Sequence, residues 1–108
     1  MMMPKDSTLP SKMKRAKSSS TDYVTLRDWA KSPNPWLRAA IAGNTNTQNY
    51  VLDELSSDRS STVRLSLASN PNLPQKAWDK LKDDSSEKVK QALWQVHPER
   101  PSKLGHRA

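Results

Sequence analysis

Three cations stand at one spacing: Arg38, Arg64 and Lys90 follow one another 26 residues apart. Guanidinium and ammonium groups held in register have two uses. They pair with carboxylates, or they line up against phosphates as a basic stripe. Carboxylates are at hand, because Asp58 and Asp84 each stand six residues before a cation of the ladder. In the first unit Ser32 replaces the acid, so Arg38 is the member expected to be free. Other chemistry is scarce. There is no cysteine, which removes disulfides, thiolate metal sites and iron–sulfur clusters. His97 and His106 lie near the C-terminus without paired carboxylates, so both read as surface histidines. Glycine-rich phosphate loops, nucleophile elbows and acid/base pairs are missing. The reading is therefore non-enzymatic, with no catalytic, cofactor-binding or metal-ligating residue and no cofactor.

The elements that must hold such a ladder carry the same period. Leu26, Leu52 and Trp78 match at this offset, as do Trp29, Leu55 and Leu81. Leu37-Arg38-Ala39-Ala40-Ile41-Ala42 corresponds to Val63-Arg64-Leu65-Ser66-Leu67-Ala68 and to Val89-Lys90-Gln91-Ala92-Leu93-Trp94. A fixed period between about 20 and 50 residues marks stacked repeats. A unit of 26 residues is too short for the long helix pairs of armadillo or HEAT units, at roughly 40–47. It fits one helix of about ten residues, one shorter helix and two tight corners. Each unit is too small to bury its own apolar stripe, so stacking must create the core.

The local signals place these helices. Thr21 or Asp22 caps the first, which ends by Ser32 because Pro33 disfavours helix before it. Asn34 caps the second, with Pro35 at its first position and Leu37, Ala40 and Ile41 on one face. Gly43 and Asn44 suit a left-handed closure. In the next unit Thr47 caps a helix over about 48–57, followed by a shorter one over 62–69. Asn70-Pro71-Asn72-Leu73-Pro74 is the corner; helices over about 74–82 and 87–96 follow, and His97-Pro98-Glu99-Arg100-Pro101 resembles that corner shifted by one residue. The organisation expected is a disordered basic tail over 1–20, an all-α repeat domain of about three units over 21–101, and a disordered tail over 102–108.

These residues carry a family resemblance. Val63-Arg64-x-x-Leu67-Ala68-x-Asn70-Pro71-Asn72-Leu73-Pro74, followed by Leu81-x-x-Asp84, resembles the bacterial leucine-rich repeat variant family. The resemblance covers roughly Leu26 to Pro101 and implies a short right-handed solenoid of alternating α and 3₁₀ helices without strands, so the shorter helix of each unit is expected as α or 3₁₀. The period here is slightly longer than the family's usual one. The iron–sulfur cysteine cluster of the family's prototype has no counterpart, so that function does not carry over. The spacing from Asp58 to Arg64 is similar to the Asp…Arg ladder of HEAT repeats.

Charge and aromatic residues bear on partners. Of the net charge of +7, four lie in residues 1–21 and two in residues 97–108, which leaves the repeat body nearly neutral. Lys12, Lys14, Arg15 and Lys17 read either as a solubilising tail or as an arm for nucleic acid. Trp29 and Trp78 replace leucines of other units and read as core. Trp36 aligns with Thr62 and Lys88, so it is either an exposed binding residue or packed on the N-terminal helix. Trp94 aligns with Ala42 and Ala68; it covers the open end of its own stack or meets a partner or a second copy. The function read from these features is a scaffold for macromolecular, above all protein–protein, interaction, with Trp36, Arg38, Arg64, Lys90 and Trp94 as contact residues. The alternative is a nucleic-acid accessory protein using the basic tails and the ladder. No apolar run reaches the roughly 20 residues of a membrane span. Without cysteines or a secretory signal, the expected location is the cytoplasm.

Overall fold

The computed structural model describes residues 4–100 and is all-helical, with no strand among them. Seven α-helices follow in order: α1 (Pro4–Ala16), α2 (Tyr23–Trp29), α3 (Pro35–Ala42), α4 (Asn49–Leu55), α5 (Ser61–Ala68), α6 (Gln75–Leu81) and α7 (Glu87–Val96). Their starts follow capping chemistry. Asp22 accepts the Thr25 N–H ahead of α2, and Asn34 accepts the Trp36 N–H ahead of α3, where Pro35 needs no partner. Ser86 accepts the Val89 N–H ahead of α7. All seven helices are α, so the 3₁₀ alternative for the shorter helices does not apply. In the second unit the expected length order is reversed, since α4 has seven residues and α5 eight; α7 has the expected ten.

The helices form two layers. α1 packs on α3, α3 on α5 and α5 on α7; α2, α4 and α6 lie on the other side, each against the odd-numbered helix that follows it. Between the layers Leu26, Ile41, Leu52, Val63, Leu67, Trp78, Leu81, Val89 and Leu93 are fully buried. Helices this short are marginal alone, so the shared core stabilises them. No helix among the described residues is long and apolar enough to cross a membrane.

Corners and odd-numbered helices interlock through asparagines. A helix leaves its last carbonyls without partners. Asn44 Nδ2 donates to the Ala16 and Ser18 carbonyls at the end of α1, at 2.7 and 2.8 Å. Asn70 Nδ2 repeats this 26 residues on, donating to the Ala42 and Asn44 carbonyls at 2.9 and 3.1 Å. Each Oδ1 also accepts the N–H two residues ahead, from Asn46 or Asn72, which fixes the turn. The third member is His97, whose Nε2 lies 3.1 Å from the Ala68 carbonyl at the end of α5.

Four expectations are corrected here. Residues 4–16, placed in a disordered tail, form α1; Ala16 is fully buried and Met13 packs on the core, because this helix occupies the place before α3 in the odd layer. His97 is buried, not at the surface, because it takes the asparagine position of its corner. Gly43 closes α3 with a right-handed φ of −91°; its lack of a side chain matters because a Cβ there would come within 2.8 Å of Ser66 Oγ on α5. Thr47 does not cap α4: its hydroxyl donates to the Ile41 carbonyl, and Gln48 holds the cap position. His106 and the proposed tail over 102–108 lie outside the described residues.

Candidate functional site

The ladder position is built by the odd-numbered helices, each of which presents one cation at the same turn. Arg38 on α3 reaches forward to Asp58 in the loop before α5, with Nε 2.8 Å from Oδ2 and Nη2 3.0 Å from Oδ1. Arg64 on α5 reaches Asp84 before α7 in the same two-pronged way, at 2.7 and 3.3 Å. The remaining Nη1 donates to a backbone carbonyl behind, Ser32 for Arg38 and Asp58 for Arg64. Each arginine therefore ties the preceding corner to the next one. Asp58 Oδ1 and Asp84 Oδ1 also accept the N–H of Ser60 and Ser86, fixing the entry of the following helix.

The electrostatics follow from this packing. Burial works against the charge of Asp58, but hydrogen bonds from Arg38 and the Ser60 N–H outweigh it and hold the carboxyl below the ordinary carboxylate range. The Arg38 guanidinium is pushed up by its hydrogen bonds to Asp58. The expectation that Arg38 is the free member is thereby overturned: the pairing runs forward to the next unit, so a missing acid at Ser32 does not affect it. The member left without a buried acid is Lys90. Its Nζ meets Glu87 on its own helix at 3.0 Å, and both side chains face water. The phosphate-stripe reading loses Arg38 and Arg64, whose donors are spent inside the fold.

The structure also gives Lys12 of α1 the ladder position one period before Arg38. With Ser32 in place of the acid, Lys12 Nζ stands 5.8 Å above the Trp29 ring, and the Arg15 guanidinium 5.5 Å from it. Attraction between a cation and an aromatic face replaces the ion pair here. Trp29 is accordingly half-buried at the edge of the core under α1. Lys14 is exposed on the same helix, and Lys17 in the turn after it. The signal for this was in the sequence: Lys12 and Ala16 stand one period before Arg38 and Ala42.

Beside the ladder, α1, α3 and α5 enclose an open groove of about 410 Å³. Met13, Ala39, Ala40 and Leu65 supply its apolar surface, Thr62, Ser66 and Ser69 its hydroxyls, and Lys17 its one cation. Trp36 stands at the side, 63% exposed. Of the two readings of Trp36, exposure is the one the structure shows. Neither α3 nor α5 carries an acidic residue, and their arginines are paired inside, so the groove presents no negative charge from these helices.

No protein-family model, curated protein or solved structure matches this chain. The site must therefore be judged on its own chemistry. Among the described residues no three His, Cys, Asp or Glu side chains gather as a metal site would need. The C-terminal end is different in kind. Trp78 is fully buried, and Trp94 lies across it edge to face, with centroids 5.4 Å apart and planes at 85°. Trp94 nevertheless stays 45% exposed, beside Glu87, Lys90, Gln91 and Gln95. Ala42 and Ala68, at the same position in α3 and α5, are fully buried under the next helix.

Proposed function

We propose that this chain is a non-enzymatic helical repeat scaffold that holds another protein in the groove between α1, α3 and α5. The observation that carries this reading is the pairing of an exposed Trp36 with an apolar, acid-free groove floor. Exposed tryptophans beside apolar floors are the residues on which protein contacts concentrate their energy. We further read the helix pairs as a right-handed solenoid of three 26-residue units of the leucine-rich repeat variant kind, acting in the cytoplasm. Support comes from the matched asparagine clamps and arginine rungs one period apart.

Recovery of bound material from the native host, with wild type beside Trp36→Ala and Thr62→Arg, tests the groove. The expected result is a protein held by wild type and lost by both variants, with helicity unchanged. One observation favours a second reading: Lys12, Lys14 and Arg15 lie exposed on the ordered α1, and Lys17 lies exposed in the turn just after it. If nucleic acid is the partner, it is kept by the groove variants, lost when these four become alanine, and released by salt as each phosphate contact frees counterions. That outcome would replace the protein-scaffold reading.

A further inference from the structure

We propose that the outer face of α7 is a self-complementary surface that pairs with the same face of a second copy about a two-fold axis. The inner odd helices show what this face would otherwise do. On α3 and α5 the matching positions hold an alanine and an arginine: Ala42 and Ala68 let the next helix approach, and Arg38 and Arg64 take an acid from the loop before it. On α7 both are changed. Trp94 replaces the alanine, so another unit cannot stack at the same close spacing. Lys90 replaces the arginine and finds its acid, Glu87, one turn away on its own helix. The face therefore does not ask for a further repeat of the same kind.

What it presents instead suits a copy of itself. A two-fold interface is isologous, with one patch meeting its own image, so a patch that carries both an acid and a base can pair each with its opposite on the second copy. This patch holds one acid, Glu87, and one base, Lys90, beside the two amides of Gln91 and Gln95, each both donor and acceptor. The depression they line, about 630 Å³, has Trp94 as its one large apolar group. An aromatic anchor at the centre with polar groups around it is the pattern of a specific contact. The cations of α1, and Lys17 just after it, belong to the opposite end of the odd layer, so their repulsion does not fall on this face.

Sedimentation of the full chain across a concentration series reads this directly. The expected result is reversible association from the 12.2 kDa chain to twice that mass. Trp94→Ala should raise the dimer dissociation constant at least about tenfold, as loss of a central anchor does. Because Trp94 also contacts Trp78, that variant is paired with one that spares the core. Glu87→Lys alone and Lys90→Glu alone should each weaken association, and the double swap Glu87→Lys/Lys90→Glu should restore it. Four results would overturn the proposal: a monomer at every concentration, a dimer indifferent to Trp94, single swaps without effect, or a double swap that fails to restore association. So would a dimer abolished by removing residues 101–108, since the contact would then belong to that segment.

Discussion

Arg38 and Lys90 hold the same position two units apart, yet one is a buried tie and the other a solvated charge. Arg38 sits between two corners, with Asp58 ahead and the Ser32 carbonyl behind, and both side chains of the pair are under a tenth exposed. Lys90 has only Glu87, itself 77% exposed. The difference teaches that a repeated cation acquires its role from the unit that follows it. Where a unit follows, a guanidinium with several donors satisfies an acid and a carbonyl together. Where the described residues hold no further unit, a lysine suffices, because water completes its hydrogen bonding.

The sharpest way to break this comparison is to empty an inner rung. Asp58→Ala leaves Arg38 charged, buried and unpaired, which should cost about 3–5 kcal/mol in urea or thermal unfolding. Replacing Arg38 by Met and Asp58 by Leu together should recover most of that, since burying an ion pair is itself costly. A single Asp58→Ala that melts like wild type would erase the distinction between inner and outer rungs.

Next in size is the asparagine clamp. Asn70→Ala strips the Ala42 and Asn44 carbonyls of a buried donor, for an expected loss of about 1–3 kcal/mol. Asn70→Asp should be no better, because a carboxylate cannot donate. Comparing these variants by chemical denaturation would show how much of the inter-unit contact is polar and how much is packing.

A smaller effect should appear on acidification. Burial, with Arg100 nearby, pushes the His97 imidazole below its usual value, while Glu99 and the Ala68 carbonyl oppose this in part. The native state therefore prefers the neutral ring, with the Nε2 proton given to Ala68. Its contribution is complete above the unfolded value of about 6.5 and is lost as pH falls through the folded value. Melting temperature should decline with acid in that window, and His97→Asn should flatten the decline. The second loss belongs to Asp58. Its folded value is depressed, so its contribution holds above the ordinary value of about 3.9 and disappears below it.

The smallest expected effect lies on the outer rung. Lys90→Ala should change the stability of the monomer by less than about 0.5 kcal/mol, as exposed pairs on one helix do. A loss as large as that of Asp58→Ala, measured at concentrations too low for association, would mean that Lys90 has a buried partner.

Much of this architecture is legible in the chain. The 26-residue period, Asn34 and Pro35 at the start of α3, and the inward positions of Leu67 and Leu93 all follow from local rules: caps, proline geometry and 3.6-residue spacing. These depend only on near neighbours in sequence. What the tertiary structure decided is which unit a long side chain reaches. A period gives Arg38 and Asp58 the same register as Arg64 and Asp84, but pairing within a unit and pairing across units leave the same trace in sequence. The same holds for His97, where a shift of one residue hid an asparagine position whose burial depends on the end of α5 lying beside it. For α1, polar composition argued for a tail. It docks because Ala16 is small enough to let the two helices meet, Met13 packs on the core, Asn44 clamps its last carbonyls, and the Trp29 ring lies where Lys12 and Arg15 can cover it.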